Sequence, residues 1–307
     1  TKLWNAARFL QMNGVGASDS IAAPEAELPV NRWIIGEVIE TLAKLDKAFA
    51  ELRFDGMADA IYHFTWGTFC DWYVELIKGA FDGETKRVAA WAFDQILVML
   101  HPFMPFVTEE LWNANERPYE LILAKWPEPE AAVDKRAKAD LERVIDLVSS
   151  IRGQRTDVGI PPGAKLQVTV LSDDADELPW LNRNRNFVTR LARITPVRQH
   201  SESTDIPGGI LESSDPRDDD EFSLLTGTKR LWNSSIQLPS GGLILSANVE
   251  DLVDLKAERQ RLSKGAEAAE KERDSLAARL SNPNFTERAK PEAVEKARAD
   301  HDARAAE

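Results

Sequence analysis

Cysteine is almost absent. Cys70 stands alone in 307 residues, which excludes an intramolecular disulfide framework and a cysteine-rich zinc site and fits a reducing compartment. Long apolar runs are missing too. The longest, Ile96 to Val107, is broken by His101, Pro102 and Pro105 and falls short of the roughly 20 residues that a spanning helix needs. No charged-then-apolar signal segment opens the sequence, so a membrane is not expected and the cytoplasm is the default location. Cations are in deficit: 38 Lys and Arg face 51 Asp and Glu, a formal net charge of −13. That sign is wrong for a surface that courts nucleic acid everywhere, so any RNA contact is confined to local basic patches. A glycine-rich phosphate loop, a Ser/His/Asp set in a nucleophile context and a cluster of metal ligands are also lacking. Neither catalytic nor metal-binding residues are assigned.

What is present is apolar content of 43%, enough for a sizeable core in two or three units. The first 150 residues read as helices. Trp33, Ile34, Val38, Leu42, Leu45 and Phe49 recur at three- and four-residue steps, leaving Glu37, Glu40, Lys44 and Lys47 for solvent. Phe54 to Phe81 repeats the pattern with Phe64, Trp66, Phe69, Trp72 and Tyr73, an aromatic stripe that suits packing between helices. Val88 to Leu100 is nearly all apolar, as a central helix would be, and Ala139 to Ser150 closes an antiparallel bundle.

After Ile151 the composition shifts. Gly159, Pro161, Pro162 and Gly163 precede a strand over Leu166 to Leu171. A helix over Leu178 to Leu191, a short strand over Arg193 to Val197 and a hairpin turning at Pro239-Ser240-Gly241-Gly242 complete a small α/β unit. Between them lies an acidic insertion at about 199–231, with Asp218, Asp219, Asp220 and Glu221 in a row, whose composition predicts a mobile loop. Farther on, Leu255, Leu262, Ala269 and Leu276 are spaced seven apart, with Leu252, Ala266 and Leu280 in a second register, as in a coiled-coil seam. The stretch Asn282 to Phe285 stops that helix and Pro291 opens another, in which Val294 and Ala297 are nearly all the seam receives. The fold expected is therefore mainly α with a small α/β unit: an antiparallel helical bundle over 1–150, a small α/β domain over 151–250, and a C-terminal antiparallel coiled-coil hairpin over 251–307.

Several strings go further. HPFMPFVTEELW at His101 to Trp112 frames an apolar turn between prolines and runs into a helix; KLWNAARF lies at Lys2 to Phe9 and FTWGTFCDWYVELIK at Phe64 to Lys78. In this order they resemble the helical anticodon-binding domain of class I aminoacyl-tRNA synthetases of the valyl, isoleucyl and leucyl group. VGIPPGAKL, the small α/β unit, a helix of pattern L-x-x-E-R-x-R-L, SNPNF and KPEAVEK resemble the valyl branch. Isoleucyl enzymes commonly end in a cysteine-based zinc module that one cysteine cannot supply, and leucyl enzymes lack this arm; the equivalent region of either remains the alternative. The adenylation motifs HIGH and KMSKS do not occur, and the chain begins at Thr1 in a helix already under way. The resemblance thus implies the tRNA-binding portion cut from a larger enzyme, with no active site of its own. It also implies a valine-specific tRNA and the catalytic domains of the same polypeptide as partners, a monomeric state, and ATP and magnesium as cofactors of the full-length enzyme only.

Reading splayed anticodon bases needs planar groups, hydrogen-bonding side chains and nearby cations. Lys2, Asn5, Arg8, Phe9 and Asn13 offer these on the first helix, with Asn5, Phe9 and Asn13 four apart on one face. The same residues also suit a core Phe9 beside a solvated Arg8. Arg152 and Arg155 at the bundle's end form a second candidate, with an ion pair to acidic surface as the alternative. Arg183, Arg185, Arg190, Arg193 and Arg198 either track a backbone or face the acidic insertion, the second being preferred. On the arm, Lys256, Arg261, Lys264 and Lys271 are candidates amid interleaved acids, Lys264 and Lys271 sharing one heptad position. A pure protein-interaction module is the competing class for the arm. Asp71, Glu75 and His63 are the best an unrecognised enzyme site offers.

Overall fold

The computed structural model describes residues 1–115, 117–166, 168–171, 176–195, 198–199, 232–238, 241–247, 255–282 and 291–306. The chain is mainly helical, and its internal contacts divide it into two compact units. One comprises 1–150, 173–192 and 236–242; the other comprises 151–172, 193–235 and 243–307.

The first unit is built from α1 (Lys2–Met12), α2 (Pro29–Ala50), α3 (Phe54–His63), a π-helix (Phe64–Tyr73), the single turn α4 (Val74–Leu76), α5 (Gly83–Leu100), α6 (Pro105–Asn113) and most of α7 (Lys135–Asp157). α2 starts on Pro29, whose missing N–H falls where no helical bond is due. Its apolar stripe Trp33, Ile34, Val38, Leu42 and Leu45 is buried as the spacing predicts, but Phe49 is 59% exposed near the helix end. α5 is the central helix. Asp82 caps it by accepting the Thr85 N–H at 2.7 Å, and nearly every side chain from Val88 to Leu100 is buried. The buried Asn31 is paired: it donates to Glu84 at 2.8 Å and to Thr85 at 3.2 Å, and accepts from the Tyr73 hydroxyl at 3.1 Å. Burial pushes the Cys70 thiol up to about 11, which makes it unreactive.

The π-helix departs from the α-helix expected there. Its buried pairs explain the wider turn: Phe64 and Thr65, Phe69 and Cys70, then Tyr73 and Val74. They are spaced five and then four residues apart, longer than an α-helical repeat allows. The HPFMPF turn is structural. Pro105 opens α6, His101 Nδ1 lies 2.8 Å from the Thr108 hydroxyl, and that hydroxyl donates to the Met104 carbonyl at 2.9 Å.

The helix α8 (Glu177–Leu191) belongs to this same unit and not, as its place in the sequence suggests, to the one that follows. Its Glu177 pairs with Arg143 of α7, and Arg190 donates to the Glu75 and Leu76 carbonyls. Arg190 therefore caps a helix.

In the second unit, β1 (Val168–Leu171) pairs in parallel with β2 (Arg198–Gln199) and antiparallel with β4 (Gly241–Ala247). With β3 (Trp232–Leu238) the order is β2-β1-β4-β3. Of the short strand expected over Arg193 to Val197, the described residues show an isolated bridge, Ile194 to Leu166; Arg193 itself takes φ 54 to turn the chain. The helices α9 (Leu255–Leu280) and α10 (Pro291–Ala306) lie side by side. Among the described side chains, the less exposed on α9 are Ala269, Arg273, Leu276 and Leu280, at steps of four, three and four; on α10 they are Val294, Ala297 and His301. Ala266, expected in the seam, is exposed. The acidic insertion from residue 200 onward, and the turn from Pro283, lie outside the described residues.

Candidate nucleic-acid interface

Leu3, Ala6, Ala7 and Leu10 bury one side of α1, and this fixes what the other side presents. Trp4, Asn5 and Arg8 are exposed and Phe9 is half-buried. Lys2 forms an ion pair with Asp71 at 2.5 Å. The Asn13 amide donates to the Phe9 carbonyl at 2.8 Å and closes the end of α1. The backbone then turns at Gly14 with φ 73, a conformation that favours glycine; a Cβ there would lie 3.1 Å from the Lys86 ammonium, the end of a flexible side chain.

The Phe9 ring lies 5.7 Å from the Phe81 ring and 5.4 Å below the Lys78 ammonium. Lys78 also pairs with Glu75. Lys78 and Phe81 come from the turn between α4 and α5, and Trp4 stands one helical turn before Arg8 on α1. Sequence reasoning missed all three. Trp4 and Lys78 sit inside the very signatures that carry the resemblance, but pairing the turn with Phe9 requires knowing that α1 packs on the π-helix. The arrangement joins a half-buried aromatic ring, an exposed aromatic, amide and guanidinium donors and a surface ammonium, a combination suited to unpaired bases and phosphate.

The other candidates separate. Arg155 is buried, and its guanidinium donates to the carbonyls of Arg193 at 3.3 Å, Pro161 at 3.1 Å and Ala164 at 2.7 Å. Burial, with Arg193 nearby, holds it below the usual arginine range. It organises the VGIPPG loop; Arg152, one turn earlier, is exposed. On α9, Lys264 and Lys271 are exposed, while the side chains of Lys256 and Arg261 lie outside the described residues. The polar trio His63, Asp71 and Glu75 does not converge, since each pairs separately, with Asp59, Lys2 and Lys78. Among the described residues no group of His, Cys, Asp and Glu could hold a metal ion, and no helix is long and apolar enough to cross a membrane.

Comparison with known proteins gives this geometry a class. Residues 31–170 match the anticodon-binding domain of tRNA ligase, so the helical unit is an anticodon-binding fold. Residues 254–307 match the valyl tRNA synthetase tRNA binding arm. Over 98% of its length the chain is 47% identical to a valine–tRNA ligase of Rhizorhabdus wittichii, covering 32% of that protein. It is 44% identical over its full length to one of Sphingopyxis alaskensis, covering 34%, and 38% identical to one of Zymomonas mobilis, covering 31%. The chain thus spans about a third of the length of the curated relatives it matches. It belongs to the valyl-tRNA synthetase family, as the C-terminal, tRNA-binding portion.

Proposed function

We propose that the exposed face of α1, with Lys78 and Phe81, reads the anticodon of a valine-specific tRNA, and that Lys264 and Lys271 on α9 hold phosphates of the same molecule. The observation that carries the first part is the half-buried Phe9 ring, with the Lys78 ammonium over it and Phe81 beside it. The match to the anticodon-binding family begins at residue 31, so α1 enters on its chemistry. Residues 1–150 together with α8 form the helical anticodon-binding domain, the rest of 151–250 a small domain around the sheet, and 251–307 an antiparallel coiled-coil hairpin. Half-buried Ala269, Leu276 and Leu280 against Val294 and Ala297 support that hairpin, and the short return helix accounts for the exposure of Ala266.

The protein to which this portion belongs would join valine to tRNA in the cytoplasm as a monomer. Its ATP and magnesium are handled on other domains of the polypeptide, and this portion contributes recognition only. The test is the affinity of the chain for a valine tRNA transcript and for a copy with a replaced anticodon. The intact anticodon should bind more tightly, and Phe9→Ala should erase the difference. Equal losses on both RNAs would mean that Phe9 only supports the fold, since truncating a packed phenylalanine costs about 3–5 kcal/mol.

A further inference from the structure

The run of helix from Phe54 to Leu76 ends without intrahelical partners for its last carbonyls, as every helix does. Here the end is taken up by a residue 115 positions away in sequence. Arg190, in the last turn of α8, donates through Nη1 to the Glu75 carbonyl at 2.8 Å and through Nη2 to the Leu76 carbonyl at 3.0 Å. A guanidinium fork fixes two successive carbonyls at once, and its charge is favoured at the negative end of a helix. Burial against the helix end pushes this guanidinium down from its usual range, partly offset by the Glu75 carboxylate, so the contact is partly shielded from water.

The turn that begins at this cap is the one that carries Lys78 and Phe81. It is pinned at its far end by Asp82, which caps α5 through the Thr85 N–H, and it passes through Gly79 at φ 82. Arg190 is the pin at its near end. Between the two pins, Lys78 reaches over the Phe9 ring and Phe81 lies against it. α8 in turn is anchored at its other end, where Arg143 pairs with Glu177 and lies over the Trp180 ring. The strap from α7 through α8 thus ends on the turn that supports Phe9.

We propose that Arg190 is a positioning residue for the anticodon-reading face: it touches no RNA and holds the Glu75–Phe81 turn where Lys78 and Phe81 set the Phe9 ring. The proposal rests on the reading of Phe9 given above, and the two can fail separately.

The experiment measures, for the full chain, the ratio of affinities for a valine tRNA transcript and its anticodon-replaced copy, together with helix content and Tm. Arg190→Ala should lower the ratio by roughly tenfold, the scale of one lost charge-assisted pair. Arg190→Lys, a point donor in place of a fork, should fall between. In a Phe9→Ala background the Arg190 change should leave the ratio where it is, as coupled residues do. If Phe9→Ala erases the ratio and Arg190→Ala leaves it intact, the positioning role is overturned and the reading of Phe9 stands. If Phe9→Ala does nothing to the ratio, both fall. A merely structural role would weaken both RNAs equally, which also overturns the proposal. Should Arg190→Ala lose its helix content, Arg190→Lys decides on the same criteria.

Discussion

The Arg143 guanidinium carbon lies 4.1 Å from the centroid of the Trp180 ring while the same side chain pairs with Glu177, so one cation serves both an indole face and a buried carboxylate. This double contact fastens the start of α8 to α7. Arg143→Ala should cost about 3–5 kcal/mol, because it leaves a buried carboxylate without its cation. A urea titration reads the loss as a lower midpoint. Arg143→Met paired with Glu177→Gln should recover much of it; a double variant no better than the single one would deny that the ion pair matters.

Arg155 should behave as a fold residue. Its three carbonyl contacts around the VGIPPG loop predict a loss on the order of 3 kcal/mol for Arg155→Ala, with little rescue by lysine, which cannot fork. The salt dependence of tRNA binding, compared at a temperature where both proteins are folded, should keep its slope. A slope lowered as for a lost phosphate would return Arg155 to the RNA surface.

Lys264 and Lys271, both exposed on α9, should behave in the opposite way. Changing both to alanine should lower tRNA affinity regardless of anticodon and flatten the log–log salt dependence by roughly 0.7–0.9 per lost phosphate contact. Melting should barely move, since solvated charges contribute little to folding. An unchanged slope with normal helix content would remove this pair from the binding site.

Asp82 offers a test by acid. The hydrogen bond from the Thr85 N–H holds its carboxyl below the usual range, so the folded state releases this proton more readily than the unfolded chain. Its stabilisation is therefore fully present above the ordinary carboxylate range and is lost as pH falls through the folded-state value. Asp82→Ala should be less stable than the native chain by about 1 kcal/mol at neutral pH, with the gap closing in acid. Asp82→Asn, a cap without a titrating proton, should show no such closing. A constant gap across pH would show that the charge plays no part.

The helices were legible because burial repeats at three and four residues. Trp33, Ile34, Val38, Leu42 and Leu45 are buried as that spacing predicts. α8 was legible as a helix but not in its placement, since nothing local tells Arg190 to seek the Glu75 carbonyl. The exposure of Asn5 and Arg8 on α1 was legible, and the Asn13 contact with the Phe9 carbonyl could have been read from Asn13-Gly14, itself a helix-ending signal. The burial of Arg155 was hidden for a related reason. A loop with two prolines and two glycines exposes carbonyls that want a donor, and a buried arginine one turn from the loop meets that need, yet in sequence it looks the same as a surface cation. Lys78 and Phe81 were invisible as partners of Phe9 because their meeting is tertiary.

The wide turn over Phe64–Tyr73 sets a length rule for this protein. Removing one residue there, with the wide turn otherwise kept, would rotate everything that follows by up to about 100°, the angle of one residue in an α-helix. The Glu75 and Leu76 carbonyls would swing off Arg190, and Lys78 would leave Phe9. A single-residue deletion in this stretch should therefore yield a chain that is still helical and blind to the anticodon, so the count of residues between Phe64 and Tyr73 is under tighter constraint than several of the side chains they carry.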